Sequence, residues 1–148
     1  MVALDTSFAV RTADWEADGG RLQGVRHSVF VVEQGVPVEL EWDGLDAHCT
    51  HLLAEDAAGR PIGCARLLPD GHVGRMAVLR PWRGRGVGRA LLQAALAQAA
   101  LAGFTVVRLN AQVHALDFYR REGFEAFGDA FSDAGIPHRA MQRAIEQR

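Results

Sequence analysis

One segment of the chain concentrates groups able to hold an anion. Arg80-Pro81-Trp82-Arg83-Gly84-Arg85-Gly86-Val87-Gly88-Arg89 stands between a strand-like stretch and the strongest helix-like stretch. A glycine-rich turn feeding a helix leaves backbone N–H groups unpaired and pointing outward, and the helix dipole favours negative charge there. Glycine at 84, 86 and 88 lets a ligand come close to the backbone. The arginine side chains can add charge-assisted hydrogen bonds of roughly 1.5–3 kcal/mol each. The chemistry this suits is pyrophosphate binding.

Three familiar anion-binding patterns do not fit. The nucleotide pattern ending in Gly-Lys-Ser/Thr needs a lysine, and all 16 basic residues here are Arg. The dinucleotide pattern G-x-G-x-x-G fails because its third glycine falls on Arg89 counting from Gly84, and on Leu91 counting from Gly86. An Arg/Gly tract that binds RNA is longer and disordered, whereas this one runs into a helix. The pattern that matches is Arg/Gln-x-x-Gly-x-Gly, read from Arg83 to Gly88. Other reactive groups have simpler explanations. Cys64 lies in the apolar run Ile62 to Leu68 with no neighbouring histidine to make a thiolate, so it reads as a core residue. Two cysteines make no disulfide framework. His48, Cys49 and His51 lack a second cluster to complete a coordination shell, so no metal site is expected.

The elements that must position this turn follow from periodicity and breakers. Phe8–Thr12 reads as a first strand. Gly20–Gln34 reads as a helix on the spacing of Leu22, Val25, Val29 and Val32, with Gly24 costing about 1 kcal/mol relative to Ala. Residues 33–46 form a loop or short helix carrying Glu33, Glu39, Glu41, Asp43 and Asp46 and no basic residue. His51–Glu55 and Ile62–Leu68 make a hairpin, and a turn at Pro69-Asp70-Gly71 leads to the strand His72–Leu79. Gly86–Ala102 is a helix closed by Gly103. Phe104–Leu109 is a buried strand and Ala115–Glu122 a short helix. Glu125–Phe127 and Arg139–Ile145 are final strands separated by a loop. The order predicts a mixed α/β layer with helices covering a central sheet.

With these elements in place, the chain resembles the GNAT superfamily of acyl-CoA N-acyltransferases. The turn from Arg83 to Gly88 is similar to the first family motif, and Ala115-Leu116-Asp117-Phe118-Tyr119-Arg120-Arg121-Glu122-Gly123-Phe124 to the second. Val29 to Gln34, Leu109 to Ala115 and Phe131 to His138 resemble the ElaA/YjcF-like branch in particular. The matches run from about residue 22 onward. The resemblance implies an α+β fold of about seven strands and four helices in one domain over residues 1–148, with the sheet splayed at its fourth and fifth strands. It implies acetyl-CoA as acyl-donor cosubstrate. The backbone of Met76, Ala77 and Val78 and the side chain of Asn110 would hold the pantetheine arm. The turn Arg83, Gly84, Arg85, Gly86, Val87, Gly88 and Arg89 would hold the pyrophosphate. Tyr119, the only tyrosine, stands where the family protonates the leaving thiolate. The base candidates are Glu33, at the end of the first helix, then His114 and His138. No metal is implied.

The expected reaction is direct attack of a primary amine, of a small molecule or a peptide, on the thioester in a ternary complex. The alternative is a non-catalytic acyl-CoA-binding or sensing domain. If the acidic stretch 33–46 faces the site, it would favour cationic acceptors; the simpler reading is a solvated loop. A formal net charge of −2 argues against nucleic acid and anionic membrane as partners. No apolar run approaches the roughly 20 residues of a membrane span. The first residues lack the basic and apolar segments of a secretory signal, so a cytoplasmic protein is expected. A homodimer is compatible with the sequence.

Overall fold

The computed structural model describes residues 6–146. A single sheet of seven strands runs in the order β1-β2-β3-β4-β5-β7-β6. β1 (Phe8–Ala13), β2 (Thr50–Asp56), β3 (Pro61–Leu67) and β4 (His72–Val78) form an antiparallel meander. β5 (Val106–Gln112) joins β4 in parallel, and β7 (Ile136–Ala144) inserts antiparallel between β5 and β6 (Glu125–Asp133). The four helices are α1 (Trp15–Arg26), α2 (Val38–Glu41), α3 (Val87–Leu101) and α4 (Leu116–Arg121). Among the described residues, no helix is long and apolar enough to cross a membrane.

Each face of the sheet carries its own core. α3 is rich in Ala and Leu, and Val87, Leu91, Ala95 and Ala99 recur every fourth residue to give it a buried stripe. That stripe packs on Leu52, Ala65, Leu67, Val107, Leu109 and Met141. On the opposite face, Leu22, Val25 and Val29 of the first helix pack on Leu53, Cys64 and Ala77. The two sets of strand residues alternate, as the pleat requires. Gly63 is needed where α3 crosses β3, because a Cβ there would meet Leu91 at 3.0 Å and the Ala77 carbonyl at 3.1 Å.

Three elements differ from the sequence-based expectation. The first helix begins at Trp15 rather than Gly20, because Asp14 caps it by accepting a hydrogen bond from the Glu16 N–H at 3.3 Å. From His27 to Glu33 it widens into π-helical turns, with the Gln34 N–H bonded to the Val29 carbonyl at 3.1 Å. β6 extends to Asp133 rather than ending at Phe127, so the expected loop is a hairpin turning at Ala134-Gly135. β5 begins at Val106, and Phe104 instead packs beneath Gly71.

The wall formed by α1, α2, β3 and β4 is joined by charge. Arg26, 1% exposed, binds both Glu41 and Asp46, the latter at 2.7 Å. Arg66, 3% exposed, binds Asp43 and Asp46, each at 3.0 Å. Arg75 adds hydrogen bonds to the Leu40 and Glu41 carbonyls at 3.4 and 3.2 Å. The His51 ring, kept neutral by burial, bonds the Asp46 carbonyl at 2.8 Å and stacks on Trp15. Burial works to raise the Asp46 pKa, but hydrogen bonds from Arg26 and Arg66 outweigh it and hold the carboxylate down.

Breaking a buried pair is costly because the remaining charge stays in the interior. Asp46→Ala takes one of two carboxylates from each of Arg26 and Arg66, leaving Glu41 and Asp43 as their remaining partners, and should cost about 2–3 kcal/mol in urea denaturation. A loss below about 1 kcal/mol would remove this network as a support of the fold. Hydrogen bonds from Arg66 hold Asp43 down to about 2. Its folded pKa is depressed, so its contribution is complete above the unfolded value of about 3.9 and lost as pH falls toward 2. The urea midpoint should therefore drop across that window, and the drop should shrink in Asp43→Asn.

Candidate active site

β4 and β5 part company after two rungs. Their parallel pairing covers only His72 with Arg108 and Val73 with Leu109. β5 meanwhile pairs with β7 along its whole length, from Val106 to Gln112. The β4–β3 register is interrupted between Cys64 and Arg66, where Arg75 takes φ +47°. A left-handed conformation costs a non-glycine residue about 1–2 kcal/mol, and the Arg75 guanidinium bonds to α2 hold it there. The strand bends away, and a cavity of about 920 Å³ opens in the cleft.

The cavity gathers much of the expected site. Met76, Ala77 and Val78 line one wall; Asn110, His114 and Tyr119 line the other; His138 enters from β7. Tyr119 sits on α4 with its ring edge-on to Phe118 and Phe124, at centroid distances of 5.0 and 6.1 Å. Burial pushes its hydroxyl pKa up to about 12. The His138 ring donates from Nδ1 to the Ile136 carbonyl at 2.7 Å and stacks on Phe131, which leaves Nε2 as acceptor. Asn110 is exposed on β5.

The glycine–arginine turn lies where β4 hands over to α3, around a second cavity of about 280 Å³ lined by Gly84, Gly86, Val87 and Gly88. Gly84 and Gly86 have φ of +75° and +85°, which explains glycine at both. Gly86 is the N-cap of α3, and no side chain caps the helix, so the first-turn N–H groups beside the cavity have no capping side-chain acceptor. The arginines are arranged differently from the sequence-based expectation. Arg83 is committed to the Val78 carbonyl at 3.0 Å and to both Glu33 oxygens at 2.9 and 3.0 Å. Arg89 pairs with Glu122 at 3.1 Å. Arg85 lies over the Trp82 ring at 5.5 Å and, among the described residues, makes no ion pair. Arg83 and Arg89 line the cavity with their charges already paired, and Arg85, outside the lining, is the arginine of the turn without an ion pair among the described residues.

Glu33 falls outside the cavity lining. Hydrogen bonds from Arg83 hold its carboxylate below the usual range. The acidic segment is likewise occupied internally: Glu33, Glu41, Asp43 and Asp46 all bind arginines, and Glu39 alone of the five is without an ion pair among the described residues. Cys64 is buried, its thiol pushed up to about 12, and it donates to the Arg75 carbonyl at 3.4 Å. It is packing, not a nucleophile. No cluster of three or more metal-binding side chains occurs among the described residues. Sequence reasoning assigned no role to Gln34, Gln112 and Phe118, although all three stand inside the quoted motifs. Phe118 lines both cavities, and its ring lies 3.5 Å from where a Cβ on Gly88 would be. It ties the turn to the helix that carries Tyr119.

Comparison with known proteins agrees with this geometry. The sequence model of the acetyltransferase (GNAT) domain matches residues 21–145. The uncharacterised N-acetyltransferase YjcF of Bacillus subtilis (strain 168) is 38% identical over 123 residues, covering 80% of this chain and 87% of that protein. An acyl-CoA N-acyltransferase from Pseudomonas aeruginosa superposes with a TM-score of 0.82 at 33% identity, over 93% of this chain and 100% of that one. Escherichia coli ElaA superposes with a TM-score of 0.82 at 27% identity, over 93% and 99% of the two chains.

Because Tyr119 is the only tyrosine, an alkaline absorbance titration reads this one phenol. It should ionise near 12 in the folded protein and near 10 in urea. A folded-state midpoint near 10 would mean that the ring is open to water.

Proposed function

The chain belongs to the GNAT acetyltransferase family, in its ElaA/YjcF-like branch, and from that premise we propose that it transfers an acetyl group from acetyl-CoA to a primary amine of a small molecule or peptide. The observation that carries this reading is the continuity of the cleft. The unpaired edge of β4 runs from the N-terminus of α3 to the Tyr119 side chain, and an extended, amide-bearing arm attached to a pyrophosphate suits both ends. The backbone of Met76, Ala77 and Val78 would pair with the arm, with Asn110 across from it. The turn from Arg83 to Arg89 would hold the phosphates through its N–H groups and Arg85.

Acyl transfer requires two proton movements. The amine arrives as an ammonium of pKa about 10 and must lose a proton before its lone pair can attack the carbonyl carbon. As the new N–C bond forms and the C–S bond breaks, nitrogen loses a second proton and sulfur gains one. The net products are the amide, coenzyme A thiol and one proton. Tyr119 is the general acid at sulfur. At about 12 its hydroxyl remains a donor across the working pH range. The free thiol lies lower, at about 8.5, but burial in the same cavity raises a thiol too, so the gap narrows where the reaction occurs. The base is one of the two cavity histidines, His114 or His138. Glu33, committed to Arg83 and Arg80, serves instead to hold the arginine beside the turn. Since residues 33–46 are neutralised by arginines, they give cationic acceptors little long-range attraction. Acceptor choice then rests on the cavity's shape and its few polar groups.

Calorimetry with acetyl-CoA should give measurable heat, and a panel of amines should include acceptors that release thiol. Absence of heat would sink the proposal; binding without release from a broad panel would leave the acyl-CoA-sensing alternative. Tyr119→Phe should lower kcat by roughly 10²-fold with acetyl-CoA affinity nearly intact. Glu33→Gln should keep the acidic limb of the kcat/KM profile; loss of that limb would restore Glu33 as the base.

A further inference from the structure

Gln34 and Gln112 come from opposite walls of the large cavity, one capping the widened end of the first helix and the other ending β5. Their side-chain amides pair reciprocally. Gln34 Nε2 donates to Gln112 Oε1 at 3.2 Å, and Gln112 Nε2 donates to Gln34 Oε1 at 2.9 Å. The His114 Nε2 lies 2.6 Å from the same Gln112 Oε1. An amide oxygen only accepts, so the imidazole must carry its proton on Nε2 and keep the lone pair on Nδ1. Both lone pairs of Gln112 Oε1 are then used, one by Gln34 and one by His114.

Several charged and titratable groups on the surrounding elements are engaged elsewhere, while Asp133 at the end of β6 also lines the cavity, and it, Arg108 on β5, Arg121 on α4 and Arg143 on β7 make no ion pair among the described residues. On α4, Asp117 pairs with Arg120 at 3.2 Å, and Tyr119 lies among Phe118 and Phe124. On β7, His138 is tied to the Ile136 carbonyl and Arg139 to the Gly128 carbonyl. Glu33, next to Gln34, is held by Arg83. His114 is exposed at the mouth, where it can exchange protons with water, whereas His138 is buried.

Resting on the acetyltransferase reading, we propose that His114 takes the acceptor amine's proton through Nδ1, and that Gln112, held by Gln34, is the positioning residue that fixes this tautomer. In the step, an N–H bond of the attacking amine breaks as Nδ1–H forms. The imidazolium then carries protons on both nitrogens, and Gln112 Oε1 accepts a stronger, charge-assisted bond from Nε2. After the amide product departs, the imidazolium gives its proton to water, and water returns one to the Tyr119 phenolate left by protonation of the sulfur. A neutral amide orients the imidazole without placing a fixed charge beside it.

Two measurements decide it. Long-range proton–nitrogen spectra of the histidine rings, without substrate, should show His114 as the Nε2–H tautomer, becoming mixed in Gln112→Met. A dominant Nδ1–H form in the wild type would overturn the proposal, whatever the activity. In kinetics, Gln112→Met should lower kcat about 10-fold or more while KM for acetyl-CoA stays within about 2-fold. Gln112→Glu should retain part of the activity and move the acidic limb of kcat/KM up by about one pH unit, because its carboxylate favours the imidazolium. A folded Gln112→Met at full kcat, or an unmoved limb in Gln112→Glu, would sink the role of Gln112. If the wild type released no thiol with any amine, the acetyltransferase reading would fall, and the ring spectra would still settle the tautomer.

Discussion

The sheet cannot close between its fourth and fifth strands, and the rest of the structure is arranged around that opening. β5 can hydrogen-bond on two edges, and one edge is fully taken by β7. On the other it reaches β4 for two rungs only, at His72 and Val73. Beyond them, the edge of β4 from Gly74 to Val78 faces no strand. Water can satisfy these backbone groups while the cleft is open, but an occupant that displaces it must bring donors and acceptors of its own or leave them unpaired at roughly 1–3 kcal/mol each. An extended chain of amides satisfies this requirement and a compact apolar ligand does not. The opening therefore restricts the chemical class of what enters the cleft, before any side chain is considered.

Keeping the cleft open needs a strand that bends, and the bend is stabilised by charge. Arg75 sits at positive φ on β4, and its guanidinium reaches α2. Behind it stand Arg26 and Arg66 with Glu41, Asp43 and Asp46, three cations balanced by three anions. Buried ion pairs add little net stability compared with well-packed apolar groups, because desolvation opposes the attraction. Their advantage is directional. A guanidinium forked onto two carboxylates fixes the angle between helix and strand in a way that apolar contacts do not. Arginine is well suited to the task, and the absence of lysine leaves no weaker substitute at these positions. The same pairing neutralises a segment that reads in the sequence as an acidic surface.

What could be read from the sequence depended on whether a signal was local. The sequence predicts α3 over Gly86–Ala102 and it spans Val87–Leu101, because its Ala and Leu content and the Gly103 stop are local to the element. The splay was legible through the family resemblance carried by two motifs, not through periodicity. β6 was cut short because it is exposed along most of its length, so no alternation of apolar residues marks it. The start of α1 was missed because Trp15–Gly20 has little apolar periodicity, and only the cap at Asp14 reveals it. The partners of the charged groups were out of reach. Glu33 and Arg83 are 50 positions apart, and Arg26 and Asp46 are 20 apart. A carboxylate's availability is decided by its partner, and the pairing of Glu33 with Arg83 is marked by no local pattern in the sequence.

The two ends of the cleft differ in how their polar groups are supplied, and this difference has a physical reason. At the end next to α3, the donors are backbone N–H groups of a helix start shaped by two glycines at positive φ, and backbone donors do not titrate. At the other end, the groups are a phenol and two imidazoles, each with its proton tied in place or held by burial. A site that only grips benefits from fixed dipoles, whereas a site that moves protons needs side chains whose protonation can change. Phe118 spans the two ends, touching the first turn of α3 while its neighbour Tyr119 faces the large cavity. The spacing from the anion site to the phenol is thereby set by one helix–helix contact. On the acetyltransferase proposal, a ligand anchored at the turn would be measured out along β4 as far as Tyr119, so that its length, more than the hold on its anionic end, would discriminate between ligands.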